Sequence, residues 1–212
     1  GKMSAQTTKK VVLVSGGSSG IGKCICADLA KRGHIVYELS RHGAAAGTVC
    51  HITADVTDEA SLCAAVETVV QEQGRIDILI NNAGFGISGA VEFTDTAQAQ
   101  KQLDVNFFGC VRLCHAALPY FRRQGYGRIV NVSSVAAMAP IPFQAFYSAS
   151  KAAINAFSMA LANEVRRFGI TVCAVMPGDI HTGFTAAREK APSGDVAYGG
   201  SITRSVARME AD

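Results

Sequence analysis

Charge is scarce in this chain: 17% of its 212 residues are Asp, Glu, Lys or Arg, against 49% hydrophobic. That balance excludes disorder by low hydrophobicity and high charge, and it suits one globular domain with a sizeable core. The net charge of +3 is small and no basic run or stripe is present, so nucleic acid is not expected as a partner. No apolar run approaches the ~18 residues of a membrane span and no secretory signal opens the chain, so no span and a cytoplasmic location are expected. The seven cysteines contain no CxxC pair, and the five histidines (His34, His42, His51, His115, His181) show no ligand spacing. The cysteines read as small buried apolar residues in a reducing compartment, and no metal is assigned.

The N-terminus comes first among what is present. Gly1 and Lys2 ahead of Met3 read as tag-derived, and residues 1–9 as a disordered end. Lys10 to Ser15 (KVVLVS) is a β-branched run of the buried parallel-strand kind. It passes directly into Gly16-Gly17-Ser18-Ser19-Gly20-Ile21-Gly22 and then a helical pattern through Arg32. Glycines at 16, 20 and 22 permit a tight turn and close approach of a ligand. The helix they open offers free N–H groups and a positive dipole end to phosphate. A strand before such a turn and a helix after it is the context that gives the motif meaning.

Further strands are expected at His34–Ser40, Val49–Ala54, Ile76–Ile80, Arg128–Val132 and Thr171–Met176. Helices are expected over about 58–73, 96–123 and 146–168. Alternation of this kind implies a parallel sheet covered on both faces, with ligand outside the carboxyl ends of the strands. The second strand ends Ser40-Arg41, and its nearest carboxylate, Glu38, lies inside the strand. An arginine at that point accommodates a 2′-phosphate where a carboxylate would bind a 2′-hydroxyl, so NADP(H) is expected rather than NAD(H). Asn106 falls within an apolar helical pattern, as a satisfied core amide or part of a polar network. The helix from 146 is alanine-rich and weakly charged until Glu164, which suits burial against another subunit.

The most informative stretch is Val130 to Lys151, VNVSSVAAMAPIPFQAFYSASK. Positions four apart share a helix face, so the Tyr147 hydroxyl and the Lys151 ammonium can share one site. A neighbouring ammonium stabilises phenolate and brings a tyrosine, with its reference pKa near ~10, closer to use as a proton donor at neutrality. Ser134 sits where a strand ends and can hold a substrate oxygen. Met138, Ile141, Phe143 and Phe146, with Phe85, Ile87 and Phe184, are expected to form an apolar pocket mouth for a lipophilic, uncharged carbonyl substrate.

With these residues in family order, the chain resembles the short-chain dehydrogenase/reductase family. The resemblance rests on SGGSSGIG at 15–22, Asp55-Val56, Asn81-Asn82-Ala83-Gly84, Asn106, Ser134, Tyr147, Ser150-Lys151, and Pro177-Gly178 with Ile180 and Thr182. It implies a Rossmann-like, doubly wound α/β sheet in a catalytic domain over 10–184. It implies Tyr147 as general acid/base and Ser134 polarising the carbonyl. Lys151 would bind the nicotinamide ribose and lower the tyrosine pKa, and Asn106 would support a water in a proton relay. Gly16, Ser18, Ser19, Gly20, Ile21, Gly22, Asp55, Val56, Asn82, Ala83, Gly84, Pro177, Gly178, Ile180 and Thr182 would line the cofactor, with Ser40 and Arg41 marking the NADP(H) branch. The stretches NNAGFGISGAVEF, LDVNFFG and PGDIHTGF look similar to the 17β-hydroxysteroid and retinol dehydrogenase branch, and 3-oxoacyl carrier-protein reductases are the close alternative.

Two departures stand out. Ser15 replaces the usual threonine and keeps its hydroxyl. Residues 185–212 hold no convincing apolar strand, so the sheet is expected to lack the family's last strand and this segment to be an incomplete lid in part of a longer protein. A homodimer or homotetramer through the helices around 98–123 and 147–168 is expected. A non-catalytic NADP(H)-sensing protein on the same fold would usually have lost one of the four catalytic groups, and all four are present.

Overall fold

The computed structural model describes residues 8–18, 20–134 and 139–176. Within them lie six strands: β1 (Val11–Ser15), β2 (Ile35–Ser40), β3 (Cys50–Thr53), β4 (Ile78–Asn81), β5 (Gly127–Val132) and β6 (Ile170–Val175). The helices are α1 (Gly20–Lys31), α2 (Glu59–Gln73), α3 (Thr96–Leu103), α4 (Gly109–Gln124) and α5 (Ala145–Val165). All strand pairs are parallel, in the order β3-β2-β1-β4-β5-β6. The expected Rossmann-like α/β architecture is therefore present. Ser19 and residues 177–212, which include Pro177, Gly178, Ile180, Thr182, Phe184 and the expected lid, lie outside the described residues.

Period-two alternation distributes each strand over both faces of the sheet. Val11, Leu13, Tyr37, Leu39, Leu79 and Ile129 pack with Leu62, Val66 and Val69 of α2 and Leu113, Ala117 and Phe121 of α4. Val12, Val14, Val36, Ile80 and Val130 face the other way, toward Ile25, Cys26 and Leu29 of α1. Burial on both sides explains why β1 and β4 are apolar up to their last residues, Ser15 and Asn81.

Helix ends follow local chemistry. Asp58 caps α2 by accepting the Ala60 amide at 3.1 Å, and Gly74 ends it at φ 77° with its N–H on Val70 O. Two departures from the expected elements have a local cause. β4 begins at Ile78 rather than Ile76, because the Ile76 peptide is taken by Gln124 at 3.1 and 2.8 Å. The expected helix over 96–123 is interrupted by a π-helical turn, Asp104–Phe108, which carries Asn106.

At the start of β5 the backbone runs against a core ring. A Cβ at Gly127 would lie 2.2 Å from Phe121 Cγ, and Phe121 is fully buried. Gly127→Ala is expected to cost about 1–3 kcal/mol by overpacking. Urea unfolding measures this, and Phe121→Leu in the same chain should recover part of the loss. An unchanged midpoint would show that the ring yields freely.

Candidate active site

The sheet order places the topological switch point between β1 and β4, where the chain leaves the sheet in opposite directions. The glycine turn after β1 and the Asn82–Gly86 segment after β4 meet there. Ser15 Oγ accepts the amides of Asn82 and Ala83 at 3.0 and 3.1 Å, so the serine that replaces threonine uses its hydroxyl to join the two strand ends. Asn82 Nδ2 donates to Gly16 O at 3.3 Å. Contact is tight enough to require glycine at two positions. Gly16 has φ +67° with Ala83 Cα 2.9 Å from where a Cβ would be, and a Cβ on Gly22 would fall 2.0 Å from Gly16 O.

Two contiguous depressions open at this edge. One, of about 510 Å³, is lined by Gly16, Gly20 and Ile21, by Asn82 to Gly86, and by Val132, Ser133, Gln144, Tyr147 and Lys151. The other, of about 470 Å³, is lined by Ser40 and Arg41, by Ala54 to Thr57, and by Lys101 and Val105. Gly16, Ala83, Gly84 and Phe85 wall both. Two lobes joined across a glycine turn fit a two-part ligand held at its middle, and Gly20, with nothing within 4 Å of where a Cβ would lie, keeps the first lobe open beside the turn.

Tyr147 and Lys151 line the first lobe together from α5. The lysine lies 5.8 Å from the centre of the tyrosine ring and donates to Val132 O at 3.2 Å. Only 6% of Lys151 is exposed. Burial pushes its pKa down to about 8, opposed by Cys110. Ser133 also lines this lobe, with its Oγ buried and unpartnered among the described residues, while the half-buried Ser134 follows it without lining the lobe. Asn106 does not line either lobe. Its side chain is spent on Phe85, accepting N–H at 2.9 Å and donating to O at 2.8 Å, and on Ser150 Oγ at 3.3 Å.

In the second lobe Thr57 donates its amide and hydroxyl to Asp55 Oδ1 at 2.9 and 2.7 Å. These bonds hold the Asp55 carboxyl below the usual carboxylate range, with smaller help from the Arg41 and Arg112 charges. Ser18 lies apart, on a third cavity beside α1. Gln144, Thr57 and Lys101 were not foreseen from sequence. Each is a common residue type outside any motif, so nothing marked it. Of the expected apolar mouth, Ile141 and Phe143 are 43% and 65% exposed and Phe85 is 36% exposed, while Met138 and Phe184 lie outside the described residues.

Residues 10–193 match the family described as short chain dehydrogenase. The chain belongs to the short-chain dehydrogenase/reductase family. Members of that family are oxidoreductases that use a nicotinamide cofactor. Among relatives, the chain is 48% identical over 177 residues to a 3-ketodihydrosphingosine reductase of Bacteroides thetaiotaomicron, covering 83% of this chain and 66% of that protein. It is 37% identical over 190 residues to human retinol dehydrogenase 8, covering 82% of this chain and 60% of that one. A solved 3-ketoacyl-(acyl-carrier-protein) reductase from Brucella melitensis, complexed with NADH, superposes with a TM-score of 0.76 at 31% identity, over 79% of this chain and 74% of the other. The chain thus spans about two thirds of the length of the curated relatives it matches.

The lysine carries a pH signature. Its folded pKa of about 8 lies below the ordinary 10.5, so between those values the unfolded chain binds more protons and stability rises with pH. Without cofactor, the parent should gain up to about 3 kcal/mol on a Lys151→Met variant across that window. Denaturant titrations at several pH values measure the difference, and parallel pH curves would refute the burial of this charge.

Proposed function

We propose that this protein is an NADP(H)-dependent oxidoreductase that interconverts a ketone and a secondary alcohol on a lipophilic molecule, with Tyr147 as general acid/base. The observation that carries this reading is Tyr147 and buried Lys151 lining one lobe with the glycine turn. When bound, the cofactor supplies or accepts the hydride. In reduction, Tyr147 passes its hydroxyl proton to the substrate oxygen. Ser134, one residue past the Ser133 that lines the lobe, is assigned the hydrogen bond to the same oxygen, where developing negative charge makes a placed donor most effective. Lys151, held at Val132 O beside the Tyr147 ring, would bond the nicotinamide ribose. Asn106 supports the proton path by holding the Phe85 peptide beside the lobe.

The NADP(H) preference is supported by Ser40 and Arg41 lining the second lobe, while the β2 carboxylate, Glu38, bonds Ser40 and is not among the residues that line it. Glu38 and Ser40 lie on the strand face opposite Leu39, and the carboxylate is turned into the α1 side of the sheet. The exposed Phe85, Ile141 and Phe143 suit a lipophilic substrate, and the likeness to a 3-ketodihydrosphingosine reductase favours a 3-keto lipid. The solved 3-ketoacyl-(acyl-carrier-protein) reductase keeps a carrier-bound 3-ketoacyl substrate as the second reading. Exposed Phe108 and Met159, at 45% and 73%, support a homodimer or homotetramer through α3–α5. Buried thiols at Cys26, Cys110 and Cys114 suit a cytoplasmic setting.

Two measurements test this reading. Tyr147→Phe should lower kcat by ~10²–10⁴-fold while leaving NADPH binding nearly unchanged. Retained turnover on 3-keto lipids or acetoacetyl esters would remove the tyrosine from the chemistry. Arg41→Asp should raise the KM for NADPH by roughly 10–100-fold and spare NADH, a charge-reversal effect that an unchanged ratio would refute.

A further inference from the structure

Glu38 is 2% exposed and has no place in the chemistry proposed above. Parallel pairing of β2 with β3 sets it opposite His51, and sets Ser40 opposite Thr53. Glu38 Oε1 is shared: it contacts His51 Nδ1 and accepts the Ser40 hydroxyl at 3.2 Å. Ser40 Oγ in turn accepts the Gly43 amide at 3.1 Å, so the turn after β2 is tied through one hydroxyl to one carboxylate oxygen. His51 Nε2 lies 2.7 Å from Thr53 Oγ1, which orients the ring against β3. Oε2 is buried and has no partner among the described residues. A buried carboxylate left half-bonded is expensive, so its presence calls for a role that outweighs the cost.

Its position supplies that role. A Cβ on Gly17 would meet Glu38 Cβ at 2.6 Å, and a Cβ on Gly43 would meet Ser40 Oγ, Glu38 Oε1 and Ser18 Cβ at 2.4, 2.6 and 2.8 Å. The glycine turn after β1 and the 40–43 turn after β2 therefore both close on this one side chain. Arg41 lies within the second of these turns, between Ser40 and Gly43, and lines the second lobe.

We propose that Glu38 is a positioning residue for cofactor discrimination: through Ser40 and Gly43 it holds the 40–43 turn so that Arg41 faces the 2′ position of the bound dinucleotide. This rests on the NADP(H) reading above. Glu38 touches no cofactor atom in this scheme and acts only through the turn. A purely structural role would weaken every dinucleotide alike, whereas a positioning role acts on the ratio between two that differ by one phosphate.

Binding of NADPH and of NADH alone, followed by cofactor fluorescence in the full-length protein, reads that ratio without any substrate. Glu38→Ala should raise the Kd for NADPH by roughly tenfold, as for a lost hydrogen-bonded anchor, and the Kd for NADH by less than about twofold. Glu38→Gln keeps a carbonyl acceptor for Ser40 and should recover NADPH binding to within about threefold of the parent. Should Glu38→Ala fail to fold, Gly43→Ala, whose Cβ would press on Ser40 Oγ and Glu38 Oε1 without lining the second lobe, disturbs the same link and should show the same selective loss. Equal weakening of both cofactors, no change, or tighter NADPH binding would each overturn the proposal. A parent that binds NADH better than NADPH would defeat the NADP(H) reading by itself. The positioning role is then judged by whether Glu38→Ala still alters the ratio of the two constants, an unaltered ratio defeating it as well.

Discussion

The site depends on one short contact, the Ser15 hydroxyl accepting the two amides that follow β4. β1 and β4 are neighbours in the sheet but far apart in sequence, and their ends leave toward opposite sides. Without a tie, the loops after them would diverge as well as the helices. The Ser15 bonds pull Asn82 and Ala83 back over the glycine turn, and Asn82 Nδ2 closes the contact on Gly16 O. The small residues there follow from the tie, since only Gly16 and Gly22 let two backbones approach this closely. Both lobes of the cleft are then walled by the same four residues.

Electrostatics in the first lobe reflect the same crowding. Lys151 reaches the end of β5 from α5, and the Val132 carbonyl is its only hydrogen-bond acceptor seen among the described contacts. Such a charge is poorly solvated, which is what brings its pKa into the range of a proton carrier. In contrast, Asp55 in the second lobe is held ionised by two bonds from Thr57 and by nearby arginines. The cleft thus keeps a fixed anion at one end and a titratable cation at the other. These are different tasks, support of a loop and exchange of protons, assigned by local solvation rather than by residue type.

Much of this was legible in the residues, for identifiable reasons. The central strands β1, β2, β4 and β5 are buried and show as apolar runs; the partly exposed β3 and β6 were anticipated as well, as was the i, i+4 placement of Tyr147 and Lys151. What escaped depends on contacts between elements. The early end of the expected β4 at Ile76 is overridden by Gln124, a residue 48 positions away. The pairing of Glu38 with His51 exists only through the β2–β3 register, and neither residue alone suggests it. Ser133 and Ser134 are adjacent and chemically identical, and successive residues of an extended chain point to opposite sides, so the sequence alone does not say which of them lines the lobe.

The π-helical turn was the least legible element, and it explains why Asn106 stands in an apolar pattern. Gln102 and Asn106 both donate to Phe85 O, each at 2.8 Å, and Asn106 also accepts the Phe85 amide. One peptide is clamped by two buried amides, so the Gly84–Gly86 segment cannot drift from the lobe it walls. The wider turn leaves the Asp104 carbonyl receiving Gly109 N, and Arg112 caps it at 3.1 Å while also taking Val56 O at 2.9 Å. Val56 lines the second lobe and Phe85 lines both, so the distorted turn braces the two ends of the cleft from one helix. An unbroken α-helix would lose the i+5 bond that defines this segment and rotate Asn106 relative to the Leu113, Ala117 and Phe121 stripe buried on α4. The extra residue in the turn reconciles the two demands: an amide turned toward the loop and an apolar face turned toward the sheet.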